Sequence, residues 1–232
     1  MSRNLKRKYY RTNTANHDEN NEDALKNIIA DNLLQNLTGN KKANHHKEEV
    51  YRENNHIYFR TDVTVEACDV LLQLIREFED DMKLTKSEPY INELTFVPPS
   101  LFVHLTTYGG DLYAAFMTYD SMKQSEYNIV TVAEGYVASA GTVIALGGTE
   151  RRVQKNALMM IHQLRTVIGG KFDEIEEDFR NSKLDMKRLI ELYHLELGGK
   201  MTKKQIEEVL SHDIWWDSQT CVKKGLCHSV SS

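Results

Sequence analysis

Two glycine-bearing junctions constrain this sequence more than any other feature in it. Thr106-Thr107-Tyr108-Gly109-Gly110 follows the apolar run Leu101 to Leu105, and Gly135-Tyr136-Val137-Ala138-Ser139-Ala140-Gly141 follows Ile129 to Ala133. Both runs have strand length and strand composition, and both junctions open a stretch of helical spacing. After the first, Leu112, Ala115, Phe116, Tyr119 and Met122 share one face; after the second, small residues continue to Gly147-Gly148. Upstream, Ile57-Tyr58-Phe59 reads as a short strand. Thr64 then offers an N-cap to a helix striped by Val65, Cys68, Leu71, Leu72, Ile75, Phe78 and Met82. Downstream, Leu158 to Ile161 is a strand closed by His162. Strand and helix alternate at short intervals, which predicts an α/β domain.

The stretch 171–197 is different. Phe172, Ile175, Phe179, Met186, Leu189, Ile190, Tyr193 and Leu197 keep helical spacing throughout, with charges on the other face. A helix this long among short ones is expected to protrude and to pack on something outside its own core. Thr202 and Gln205 form a capping-box pattern for a short helix to Leu210. His212-Asp213 follows in a loop, Ser218 is the expected cap of a last helix, and Gly225 its end.

The sequence changes character near Val50. Residues 1–50 are polar and asparagine-rich, and their apolar cluster is Ile28-Ile29, Leu33-Leu34 and Leu37. Such a segment buries too little surface to offset its ordering entropy, so it reads as a mobile extension with one short amphipathic helix. That helix is compatible with docking on a neighbouring subunit or with a removable propeptide. His45-His46 in this polar run reads as solvated. The remainder, 51–232, is the folded domain.

Composition excludes several classes. Hydrophobic residues are 41% and charged residues 27% of the chain, as in ordinary globular proteins. With a net charge of −5, nothing calls for nucleic acid. The most apolar stretch, Gly135 to Gly148, is too short to span a bilayer. Cys68, Cys221 and Cys227 contain no CxxC pair and leave one thiol over in any disulfide scheme, which fits a reducing cytoplasm. Cys221, Cys227 and His228 have poor spacing for zinc, and no metal is expected.

Chemistry concentrates at the junctions. A serine at a strand-to-helix turn, hemmed by Gly135, Ala138, Ala140 and Gly141, presents its hydroxyl beside backbone N–H groups that stabilise an oxyanion. Helix-start serines more often cap or merely allow close packing, so Ser139 alone decides nothing. His162 at a strand end is, taken alone, more often a hydrogen-bonded structural residue. Beside a strand-end serine in the same sheet, however, it supplies a base within reach. Gly109-Gly110 lets backbone approach a ligand closely. Asp213, next to Ile214-Trp215-Trp216, reads on its own as a solvated loop acid.

Taken in order, the blocks HLTTYGGDLYAAFMTYDSM, GYVASAGTVIALGG, ALMMIHQ and QIEEVLSHDIWWDS resemble the Clp protease proteolytic subunit (ClpP) family, from about Ile57 to the C-terminus. The resemblance implies a ClpP/crotonase-like α/β fold of stacked ββα units, with 171–197 as a protruding handle helix. It implies a serine endopeptidase with Ser139 as nucleophile, His162 as base and Asp213 as its orienting acid. Gly110 and Ala140 would form the oxyanion hole, and Gly169-Gly170 a strand pairing with extended substrate. No cofactor is implied. The implied partners are a peptide or unfolded protein substrate, further copies in heptameric rings stacked as a tetradecamer, and an AAA+ unfoldase.

Three departures from the family pattern stand out. Thr107-Tyr108 replaces the usual Ser-Pro before the glycine pair, Leu164 replaces the proline after His162-Gln163, and His212 replaces the arginine before the acid. A phage-encoded relative would fit such divergence. Two other readings share the fold: a catalytically idle ring subunit, and a crotonase-type acyl-CoA enzyme that would use Glu134, the acid beside the second junction.

Overall fold

Alternation with a period of two decides how the central strand lies. In β3 (Leu101–Thr107), Leu101, Val103, Leu105 and Thr107 are buried, while Phe102, His104 and Thr106 on the other face are half-buried. The structure, a computed structural model, describes residues 49–87 and 97–231. The expected amphipathic helix at Ile28–Leu37 and the His45-His46 pair lie outside the described residues.

β1 (Val50–Glu53) and β2 (His56–Phe59) form an antiparallel hairpin, which begins one residue inside the segment assigned to the extension. From β2 onward the sheet is parallel: β2, β3, β4 (Ile129–Ala138), β5 (Glu150–Gln154) and β7 (Ser229–Ser231) lie side by side. β6 (Leu158–Met160) pairs with the far end of β4, beyond β5. β4 is longer than its sequence implied. It runs through Gly135 with a register shift against β3, from Leu105↔Ala133 to Thr107↔Val137, so the turn is not the Gly135–Gly141 stretch but Ser139 alone.

Helices cover the face that carries Leu101, Val103 and Leu105. In α1 (Val65–Ser87), Cys68, Leu71, Leu72, Ile75 and Phe78 are buried, and the Ala67 N–H donates to Thr64 Oγ1. Burying each such large apolar side chain contributes about 1.5–3 kcal/mol. α2 (Leu112–Lys123) is capped by Asp111, and α3 (Ala140–Leu146) is buried along its whole length. α5 (Lys203–Leu210) has the Thr202/Gln205 capping box. α6 (Ser218–Lys224) ends at Gly225 with φ +89°, the left-handed conformation that favours glycine. Its cap is Asp217, whose side chain accepts from the Thr220 N–H; Ser218 instead donates to the Lys155 carbonyl.

α4 (Phe172–Glu196) is the long helix. Its C-terminal half is seated by buried Asp185, Leu189 and Tyr193, whereas Phe172, Ile175, Phe179 and Leu184 are exposed. The helix therefore projects, as its unmatched length predicted.

β5 was not legible as a strand because Glu150-Arg151-Arg152 reads as surface. Arg151 is 5% exposed, and its guanidinium bonds the Glu196 carboxylate (2.9 Å), the Glu196 carbonyl (2.8 Å) and the Leu226 carbonyl (3.1 Å). Arg152 lies over the Phe102 ring and pairs with Glu150. No helix among the described residues is long and apolar enough to cross a membrane.

Candidate active site

The end of β4 delivers Ser139 in a conformation that an L-residue rarely adopts. Its φ of 55° and ψ of −129° are those of a type II′ turn, a place normally given to glycine. Such strain costs of order 1–3 kcal/mol and persists only where the surroundings impose it. Here the Ser139 N–H donates to the Met160 carbonyl (2.9 Å), extending the β4–β6 pairing into the turn. The Ser139 carbonyl accepts from the Thr142 N–H (2.9 Å) and hydroxyl (2.6 Å). The Ser139 side chain makes no cap to α3, so its hydroxyl is not engaged in holding the helix.

Gly109 backs this turn. A Cβ placed there would lie 2.6 Å from Ser139 Cβ and 2.8 Å from the Ala138 carbonyl, so only glycine admits the approach. Next to it, Gly110 sits opposite Val63 in a parallel bridge that uses the Gly109 carbonyl and the Asp111 N–H. The bridge leaves the Gly110 N–H outside it.

β6 carries the chain to His162, two residues past the carbonyl that binds Ser139. Two further tethers hold this stretch. Met159 and Trp216 exchange backbone hydrogen bonds (2.9 and 2.7 Å), and the Gln163 N–H donates to the Leu210 carbonyl (2.8 Å). These tethers bring the 211–216 loop alongside His162, and buried Trp216 acts by backbone pairing rather than by chemistry.

Ser139, Ala140, Gly110 and His162 all line one cavity of about 90 Å³, walled on its apolar side by Leu112, Val143, Leu189 and Tyr193. Four of the residues singled out from sequence thus meet in one place. Asp213 is beside His162 but outside that cavity, in a more open surface depression. Its Oδ1 is 4.0 Å from His162 Nδ1, beyond hydrogen-bond length, and its Oδ2 is 3.8 Å from Arg165. Gly169 and Gly170 line neither space. Residues 161–169 carry no strand, and Gly170 instead lets the Glu174 carboxylate fold back to the Lys171 N–H (2.9 Å) at the start of α4.

Sequence reasoning missed Thr142 and Tyr193. Thr142 is fully buried, and its hydroxyl meets the Tyr193 hydroxyl at 2.5 Å. The available signals were a lone hydroxyl within a small-residue helix and a phenol within an apolar stripe. Of the three departures, Tyr108 stacks on Tyr136 (4.1 Å), the Leu164 N–H points at Met186 Sδ (3.2 Å), and His212 lies 3.7 Å from Glu208.

Glu134 takes no part in this cavity. It lies on the opposite face of the sheet, where His104 Nδ1 (2.7 Å) and Gln154 (2.9 Å) bond its carboxylate. Cys68, Cys221 and Cys227 are buried free thiols; burial pushes Cys221 up to about 12. Among the described residues, no group of three or more His, Cys, Asp or Glu side chains is placed to hold a metal ion.

A parallel sheet with a strained serine at a strand-to-helix turn, and a long helix projecting from the body, defines the fold as ClpP-like. The structure of a ClpP1 point mutant from Listeria monocytogenes matches it with a TM-score of 0.64 at 18% identity, covering 77% of this chain and 92% of that one. The Clp protease profile matches residues 78–232, and the chain belongs to the Clp protease family. The ATP-dependent Clp protease proteolytic subunit 2 of Tropheryma whipplei is 31% identical over 132 residues, 56% of this chain and 72% of that protein. Proteolytic subunit 1 of Streptomyces coelicolor is 28% identical over 132 residues, 56% of this chain and 59% of that protein, so less than two thirds of the latter is spanned.

Proposed function

We propose that this chain is a serine endopeptidase that cleaves peptide bonds by acyl transfer, with Ser139 as nucleophile, His162 as general base and acid, and Asp213 as the group that orients His162. The observation that carries the reading is the strained Ser139, its side chain not engaged in helix capping, sharing one cavity with His162. A main chain held in a costly conformation at such a turn serves to present the side chain.

In the reaction, Ser139 Oγ attacks the peptide carbonyl while His162 takes its proton. The negative oxygen that develops is met by the N–H groups of Gly110 and Ala140. His162 then returns the proton to the leaving amine, and water cleaves the ester by the same route reversed. The apolar wall of Leu112, Val143 and Leu189 suits an apolar side chain on the acyl side of the scissile bond. Neither metal nor cofactor is required by these steps.

The segment 161–170, with Gly169-Gly170, is proposed to pair with extended substrate backbone once neighbouring copies order it. The exposed Phe172, Ile175 and Phe179 of the handle are proposed to pack in an assembly of stacked heptameric rings, which would enclose the sites in a chamber. An AAA+ unfoldase is the proposed source of unfolded substrate, and the cytoplasm the proposed compartment.

The distance of 4.0 Å between His162 and Asp213 favours one second reading, an idle or latent ring subunit. Labelling by a fluorophosphonate, read by intact mass on the assembled protein, separates the two. One adduct per chain, absent in Ser139→Ala and His162→Ala, supports the peptidase. No adduct on the wild-type assembly supports the idle subunit.

A further inference from the structure

The hydrogen bonds beneath Ser139 have a single consistent direction. The Ser139 carbonyl can only accept, so the Thr142 hydroxyl donates its proton there, at 2.6 Å. The proton between Thr142 Oγ1 and Tyr193 Oη, 2.5 Å apart, must then come from Tyr193. Both side chains are enclosed, Thr142 at 0% and Tyr193 at 1% exposure, so water does not compete for either bond. Burial also raises the Tyr193 phenol well above its usual range, which keeps its proton in place. The chain of donors runs from α4 through α3 to one carbonyl.

That carbonyl belongs to the same planar peptide unit as the Ala140 N–H, and the two point in opposite directions across it. Fixing the carbonyl therefore aims the N–H. This plane turns about ψ of Ser139, held at −129°; the Thr142 N–H (2.9 Å) also bonds the carbonyl, so the Thr142 hydroxyl is the second of two bonds that fix it.

We propose that Thr142 and Tyr193 are positioning residues for acyl transfer: through the Ser139 carbonyl they set the direction of the Ala140 N–H toward the oxyanion. Neither residue touches the reacting atoms through its hydroxyl. The inference rests on the reading of Ser139 and Ala140 given above, and it extends the site to Tyr193 on the long helix, 51 positions from Thr142.

The test uses the full chain with Thr142→Val, Thr142→Ser and Tyr193→Phe. Valine keeps the shape of threonine without its proton, and serine restores the proton without the methyl. On a fluorogenic peptide, Thr142→Val is expected to lower kcat by about 10- to 100-fold with KM within about two-fold, since misdirecting an oxyanion donor costs part of the about 10²–10³ seen on its removal. Thr142→Ser should recover to within about three-fold of wild type, and Tyr193→Phe should fall between them. Wild-type kcat in Thr142→Val, or serine no better than valine, overturns the proposal.

A second readout does not depend on activity. Ser139-Ala140 is the only Ser-Ala pair in the sequence, so labelling with carbonyl-13C serine and 15N alanine gives one carbonyl–amide cross-peak. That peak should move in Thr142→Val and return in Thr142→Ser. An unmoved peak overturns the positioning role even if the wild type proves unreactive to fluorophosphonate. A moved peak on an unreactive wild type overturns only the peptidase reading.

Discussion

His162 Nδ1 stands 4.0 Å from Asp213 Oδ1, while Arg165 approaches the other carboxylate oxygen at 3.8 Å. The acid is 61% exposed and shared between an imidazole and a permanent positive charge. A shift of about an ångström makes the first contact a hydrogen bond, and catalytic contacts commonly tighten when substrate binds. Asp213→Asn is therefore expected to lower kcat by on the order of 10³–10⁴-fold, the cost of a wrongly held imidazole. Arg165→Ala removes an exposed pair and a side chain that lines the Ser139 cavity, so KM is free to rise while kcat should stay within about five-fold. Steady-state kinetics on a peptide substrate check both; full activity in Asp213→Asn would mean that something else orients His162.

Gly109→Ala should destabilise the fold by roughly 2–5 kcal/mol, adding a positive-φ penalty to a steric one. The residue has φ +99°, and its new Cβ would meet Ser139 Cβ at 2.6 Å. Urea denaturation measures the loss, and an unchanged midpoint would show that the turn yields easily.

Phe179→Glu places a charge where the handle is 52% exposed. Within a single subunit, an exposed change of this kind is worth within about 0.5 kcal/mol. In an assembly packed through the handle it buries an unpaired charge. Sedimentation velocity should show smaller species with an unchanged circular dichroism spectrum. The same sedimentation coefficient as wild type would remove the handle from the interface.

Stability should fall on mild acidification because of a cluster on the sheet's open face. His56 Nδ1 meets His104 Nε2 at 2.9 Å, and His104 Nδ1 meets Glu134 at 2.7 Å, with Arg60 3.7 Å from that carboxylate. Burial and then the neighbouring His104 hold His56 below its usual range, against a smaller opposing pull from Glu53. Below about pH 6.5 the unfolded chain thus takes up a proton that the folded one resists, and stability drops as pH falls. Glu134, held low chiefly by its hydrogen bond to His104, adds a further loss only below the ordinary carboxylate range. Melting temperature should decline from about pH 7.5 to about 5.5. The decline should shrink in His56→Gln without vanishing, since burial also lowers His228. An equal decline in the variant would assign it elsewhere.

Element types were legible wherever a periodic pattern coincided with the fold. The stripe from Cys68 to Phe78, the Thr202/Gln205 box and the length of α4 were all read correctly, because each is a property of one segment and its backbone period. Gly109, Ser139 and His162 were legible for the same reason: each sits at the end of a strand whose pattern is local. β5 was not, since the burial of Arg151 depends on Glu196 and Leu226, which no nearby residue announces. Likewise nothing near Thr142 foretells Tyr193, and nothing near His162 sets its distance to Asp213. The amino-acid order by itself determined which segments are strands and helices and which residues stand at their ends. Only the tertiary structure decided which of those ends meet, because hydrogen-bond partners and cavity walls come from elements far apart in the chain whose approach no local period encodes.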